Sequence, residues 1–167
     1  MVYDATIGQV VLIAAGAVLL AAAAQDFLDY LIPNRLVLAL VALYPIYVLA
    51  AGGSVDWLGG LLVGGAVLTV GLVLFAFRLI GGGDAKLLAA TALWAGPALI
   101  LPFLLLTAVA GGILALLMIA TARLTIFFPG LLRIVPHQTA VLSQQKLAYG
   151  VAIAAGGLFV LSRHMVA

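Results

Sequence analysis

Long apolar runs follow one another along this chain with only short polar breaks between them. A segment that crosses a bilayer as a helix needs about 20 mostly apolar residues. Taking polar residues, prolines and glycine pairs as breaks gives segments at 7–25, 36–51, 57–79, 85–96, 98–122 and 147–163. The period-two alternation of a membrane β-barrel is absent. Of the 167 residues 67% are hydrophobic and 7% charged, with no Glu, whereas a soluble domain carries roughly 25% charged residues. The expected fold is therefore all-α: a polytopic integral membrane protein of six transmembrane helices, forming a single membrane-embedded domain over residues 1–167.

The fourth segment is short and ends at Gly96-Pro97. The stretch from Trp94 to Pro102 reads either as a tight turn or as a kink inside one long helix, which would leave five spans. Basic residues arbitrate, because loops on the cytoplasmic side collect Lys and Arg. With six spans, Arg35, Arg78, Lys86, Arg123, Arg133 and Lys146 fall on one side, and only Arg163 on the other. Merging the fourth and fifth segments would move 123–146 across and spoil that bias. The expectation is six helices with both termini outside. Alanines at 21–24 resemble a signal-peptidase site, but the segment before them carries Asp4 and no cation, so a retained first helix is expected. The stretch 123–146 mixes basic residues with Ile126-Phe127-Phe128 and Pro129-Gly130, which suits a loop or short helix on the headgroups. Glycines such as Gly60, Gly64, Gly111, Gly156 and Gly157 suit close helix packing in lipid.

Composition also bounds the chemistry. Cysteine is absent and the two His residues are far apart, so neither a disulfide framework nor a metal site is expected, and nothing implies a bound cofactor. His137 and His164 fall on opposite sides in this topology, which leaves no Ser–His–Asp arrangement. A net charge of +2 is too small and scattered to suggest nucleic-acid binding.

Five acids remain: Asp4, Asp26, Asp29, Asp56 and Asp84. Asp4 and Asp56 sit in short outer segments and read as solvated. The others lie near helix ends on the cytoplasmic side, where a carboxylate in the membrane is costly enough to suggest a function. Asp26 and Asp29 precede Pro33, which breaks the chain, and Asn34, which would cap the second helix. Taken alone, they could be interfacial acids. Asp84 follows Gly81-Gly82-Gly83 and opens the fourth segment, where the glycines would let a substrate backbone approach; a Gly-rich turn with Asp as cap is the plainer alternative. Lys86, two residues on, would point away from Asp84 toward lipid phosphate or substrate. Topology puts Asp26 and Asp84 at similar depth on one face. Two carboxylates a few ångströms apart share a proton, so one can activate a water while the other polarises a carbonyl. A proton relay in a small transporter would use the same acids, although two related halves with broken helices are lacking.

The residues Asp26 ahead of Ile32-Pro33-Asn34, together with Gly81-Gly82-Gly83-Asp84-Ala85-Lys86, resemble the prepilin peptidase family of membrane aspartic proteases. The resemblance selects Asp26 and Asp84 as the catalytic carboxylates. Gly81, Gly83, Asp29, Lys86, Pro33 and Asn34 would shape the site or hold substrate. Tyr149-Gly150-Val151 resembles the start of the family's last helix, with Ala148 where Pro is usual. The chain is most similar to minimal members that serve Flp-type (tight adherence) pili, which implies leader cleavage without N-methylation. The implied partners are a prepilin or pseudopilin, cut after its basic leader and before its hydrophobic helix, and the lipids of the plasma membrane, with the active site facing the cytoplasm. Archaeal prepilin peptidases share the two-acid signature.

Overall fold

The computed structural model describes residues 5–127 and 148–166. Among these the chain forms helices α1 (Ala5–Asp29), α2 (Asn34–Ala50), α3 (Trp57–Ala76), α4 (Gly82–Phe127) and α5 (Tyr149–Val166), with no strand. Four of them are long and apolar enough to cross a membrane, and α2 is a shorter apolar helix. Most of the stretch 123–146, expected to lie on the headgroups, falls outside the described residues; the part that is described, up to Phe127, continues α4.

Local chemistry sets the helix ends. α1 runs past the expected boundary at 25 and stops where Tyr30 takes a left-handed φ of 52°. Pro33 then supplies the extended residue that starts α2 (φ −66°, ψ 134°), and Asn34 is the first helical residue rather than the side-chain cap the sequence suggests. Pro has no N–H and its fixed φ favours this position at a helix start. Asp56 caps α3, its Oδ1 accepting the Gly59 N–H at 2.9 Å. The helix ends before Arg78, which has a φ of 59°.

α4 is broken at Gly96, whose φ of 56° and ψ of −171° are not helical and suit glycine. The neighbours on either side of the break show that the chain turns back there. A Cβ at Gly157 of α5 would meet Thr91 Cγ2 at 2.7 Å, whereas one at the adjacent Gly156 would meet Phe103 at 3.0 Å. Residues 91 and 103 therefore stand at one height on α5, and the arms 82–95 and 97–127 lie antiparallel. Gly96-Pro97 is thus the tight turn, and Pro102 lies inside the second arm. Counting the two arms separately, each helical stretch among the described residues runs opposite to the one before it.

The first arm of α4 is the centre of the bundle. Ala85, Leu87 and 89–95 are all buried. α3 lies on it through small residues: a Cβ at Gly64 would sit 3.2 Å from Leu93 Cβ, and one at Gly71 would sit 3.1 Å from Ala85 Cβ. α5 covers another side, and α1 packs against α5 and α2. Lipid tails are as apolar as leucine, so such contacts must hold the helices by close van der Waals fit rather than by expelling water. At the turn, Trp94 donates its indole N–H to the Leu40 carbonyl at 3.2 Å, with its ring 5.4 Å from Tyr44. The Trp94 carbonyl is bonded by His164 Nε2 at 2.8 Å. Because a carbonyl only accepts, that nitrogen carries the proton.

The end of the bundle that holds residues 26–34, 76–86 and 149–150 is called the acid end below. The opposite end holds 51–56, 96–97 and His164.

If close fit is what joins α3 to α4, then Gly60→Ala should lower the unfolding midpoint in detergent, because its Cβ would stand 2.7 Å from the Leu93 carbonyl oxygen. The expected loss is about 1–3 kcal/mol. Gly65→Ala, with nothing within 4 Å of the added carbon, should leave the midpoint where it was.

Candidate functional site

Asp26 opens the last turn of α1 and is only 5% exposed, which makes it the one buried carboxylate among the described residues. An isolated ionised group in such a place is costly, and its oxygens need donors. The donor comes from 124 positions away: the backbone N–H of Gly150, in the first turn of α5, reaches Asp26 Oδ2 at 2.6 Å. The approach requires glycine, since a Cβ at position 150 would stand 2.8 Å from that oxygen and 3.0 Å from Asp26 Cβ. α1 and α5 are thereby pinned together at the acid end.

Asp84 is the third residue of α4, with Gly81 in the capping position: the Gly81 carbonyl accepts the Ala85 N–H at 3.0 Å. The Asp84 carboxylate folds back toward this position, so that a Cβ at Gly81 would stand 2.7 Å from its Oδ2. Asp26 is thus held by a backbone amide at the start of another helix, while Asp84 sits in the first turn of its own.

Both acids line one cavity of about 1380 Å³. Of the other residues singled out in the sequence, Gly81, Gly83, Lys86, Pro33 and Asn34 also line it. Asp29 does not: it is exposed and lies outside the lining. Lys86 is turned from the acids, as its spacing suggests, and donates its ammonium to Asn34 Oδ1 at 3.2 Å, tying the start of α2 to α4. The glycines accommodate the protein's own side chains. A Cβ at Gly83 would meet Ile32 Cβ at 3.2 Å, and one at Gly82 would meet the Phe75 ring at 3.2 Å. Removing side chains from 82 and 83 thus lets the α1–α2 turn and the end of α3 close around Asp84.

Three further wall residues escape a reading of the sequence: Tyr30, Arg78 and Tyr149. Tyr30 and Arg78 both adopt the left-handed backbone that ends their helices, a conformation uncommon enough outside glycine to mark a place of interest. Neither has a spacing that would flag it. Tyr149 and Gly150 had a signal, the fragment that resembles the family's last helix, but it indicated a helix start and not a part in the site. A second cavity of about 710 Å³ at the opposite end, walled by Tyr44, Tyr47, Trp94 and His164, contains a single acid, Asp56, and so offers no carboxylate pair.

Two carboxylates facing one open cavity, one of them held by a backbone amide, are suited to acid–base hydrolysis. Comparison with known proteins agrees. Residues 13–116 match the Type IV leader peptidase family, a stretch that includes both acids and all of the cavity wall except Tyr149. No curated protein and no solved structure matches the chain. The match covers well over half of the sequence, so this chain belongs to the Type IV leader peptidase family and is a prepilin peptidase, an aspartic-type hydrolase of the membrane.

Proposed function

We propose that Asp26 and Asp84 are the catalytic pair, and that the chain removes the basic leader of Flp-type prepilins or pseudopilins at the cytoplasmic face of the plasma membrane. The observation that carries the catalytic reading is the meeting of two acids, 58 positions apart in sequence, on the wall of one cavity. With one proton shared between them, the ionised carboxylate takes a proton from water as it attacks the scissile carbonyl. The protonated one gives its hydrogen to the carbonyl oxygen. The tetrahedral adduct then collapses, the amine leaves with a proton, and the pair returns to its starting state.

The sidedness rests on the bundle's alternation. Arg35, Arg78 and Lys86 stand at the acid end, and the second arm of α4 carries Arg123 out past it, whereas Arg163 is near the opposite end. The positive-inside rule then favours six spans with both termini outside and the acids toward the cytoplasm. A basic leader would be drawn to the anionic inner surface, at about 1 kcal/mol per Lys or Arg. Asp29, exposed beside the cavity, would add to that attraction. The preference for Flp-type substrates rests on the sequence resemblance.

Cleavage of a tagged small pilin, co-expressed and followed by its shift on a gel, tests the catalytic pair. Asp26→Asn and Asp84→Asn should each slow processing by about 100-fold or more, while Asp29→Asn keeps most of it. Near-normal processing by either of the first two would end the two-acid mechanism. Gly150→Ala, which crowds Asp26, should fold and yet lose roughly tenfold to a hundredfold in kcat, the cost expected of a displaced catalytic group. Orientation has its own test, made easier by a chain without cysteine. A membrane-impermeant maleimide applied to spheroplasts should label Ser54→Cys and spare Leu79→Cys; the reverse pattern would invert the topology.

A further inference from the structure

Among the described residues, the lining of the acid cavity takes nothing from the second arm of α4, residues 97–127. That arm nevertheless touches one of the lining residues. A Cβ at Gly111 would stand 2.5 Å from Cε2, 3.2 Å from Cζ and 3.3 Å from Cδ2 of Tyr149, so one edge of the Tyr149 ring lies directly on the backbone of the arm. Carbon atoms pack at about 3.5–4.0 Å, and only glycine leaves that room. Gly111 is buried under the ring, whereas its neighbour Gly112 is exposed and has nothing within 4 Å of an added carbon.

The ring's seat bears on Asp26 through a single peptide unit. Tyr149 opens α5, and the next residue, Gly150, gives its N–H to Asp26 Oδ2 at 2.6 Å. The first N–H groups of a helix have no partner in their own helix, and the helix itself does little to orient them. Here the following amide, that of Val151, reaches the Ala148 carbonyl only at a long 3.3 Å. The peptide joining 149 to 150 is planar and carries the Tyr149 Cα at one end and the Gly150 N–H at the other. Holding the Tyr149 side chain therefore holds one end of the plane that bears the donor. Ordering a loose backbone residue costs about as much free energy as a hydrogen bond returns. A donor already in place is what lets the bond orient the carboxylate.

We infer that Tyr149 is a positioning residue for Asp26: its ring, seated on Gly111, lets the second arm of α4 fix the Gly150 amide that holds the acid. This rests on the two-acid reading above. The contact is made by ring carbons, so the phenol oxygen is not required for it.

The test uses the full-length enzyme in detergent with a tagged prepilin as substrate. Tyr149→Ala should lower kcat about tenfold to a hundredfold with KM little changed, and Tyr149→Phe should restore the parent kcat. Gly111→Ala, which pushes the ring from its seat, should lose a similar factor, and Gly112→Ala none. Because the methyl at 111 acts only through the ring, Gly111→Ala combined with Tyr149→Ala should be no slower than Tyr149→Ala alone. A loss in Tyr149→Phe equal to that in Tyr149→Ala would assign the work to the hydroxyl and overturn the inference, as would multiplying losses in the double variant. The bond itself is read from the Gly150 amide proton in 15N-glycine-labelled protein. A short bond to a carboxylate shifts that resonance downfield; it should stay there in Tyr149→Phe and retreat in Tyr149→Ala. This readout needs no turnover. Should Asp26→Asn prove active, the two-acid reading fails; should it be inactive while the Gly150 resonance in Tyr149→Ala remains that of the parent, the positioning role alone fails.

Discussion

Asp26 is buried at the end of the first helix of an apolar bundle, and the amide of Gly150 is the group that makes its position tenable. A hydrogen bond to a charged partner is roughly twice as strong as one between neutral groups. This one closes a loop through most of the chain, from the end of α1 to the start of α5. It sets where α5 begins, how near α1 can come, and which way the Asp26 carboxylate faces. The missing side chain at position 150 matters as much as the bond, because any other residue would put a carbon where the carboxylate stands.

The remaining architecture serves to bring Asp84 to the same cavity. α4 achieves this from the centre of the bundle, with its first arm sheathed by α3, α5 and part of α2. Its small residues leave room for three neighbours at once, and its turn at Gly96 sends the second arm back along α5. At the acid end Gly82 and Gly83 let the end of α3 and the α1–α2 turn close around the acid.

Much of this was legible from residue order alone. The apolar runs announced the helices, and the distribution of Arg and Lys preferred a turn at Gly96-Pro97 over a kink, which is what the antiparallel arms of α4 display. The family resemblance singles out Asp26 rather than Asp29, and of the two it is Asp26 that is buried. Other features were closed to such a reading for physical reasons. A backbone N–H belongs to every residue but proline, so nothing in the letter G at 150 says that its amide serves an acid at 26. Asn34 looked like a helix cap because that is what its side chain favours; the proline before it takes the position, and the freed amide oxygen is bonded by Lys86. Tyr30 and Arg78 occupy the cavity wall through left-handed backbone at helix ends, a conformation that their side chains do not advertise.

The bond between residues 26 and 150 also orders events during synthesis. A ribosome delivers Asp26 to the membrane early and Gly150 more than a hundred residues later, so for most of translation the carboxylate of the first helix has no amide to hold it. Only when the final helix is threaded in does the acid acquire its fixed orientation. The unfinished chain thus cannot hold that carboxylate in place, and the newly made protein completes the wall of its acid-lined cavity in one late step.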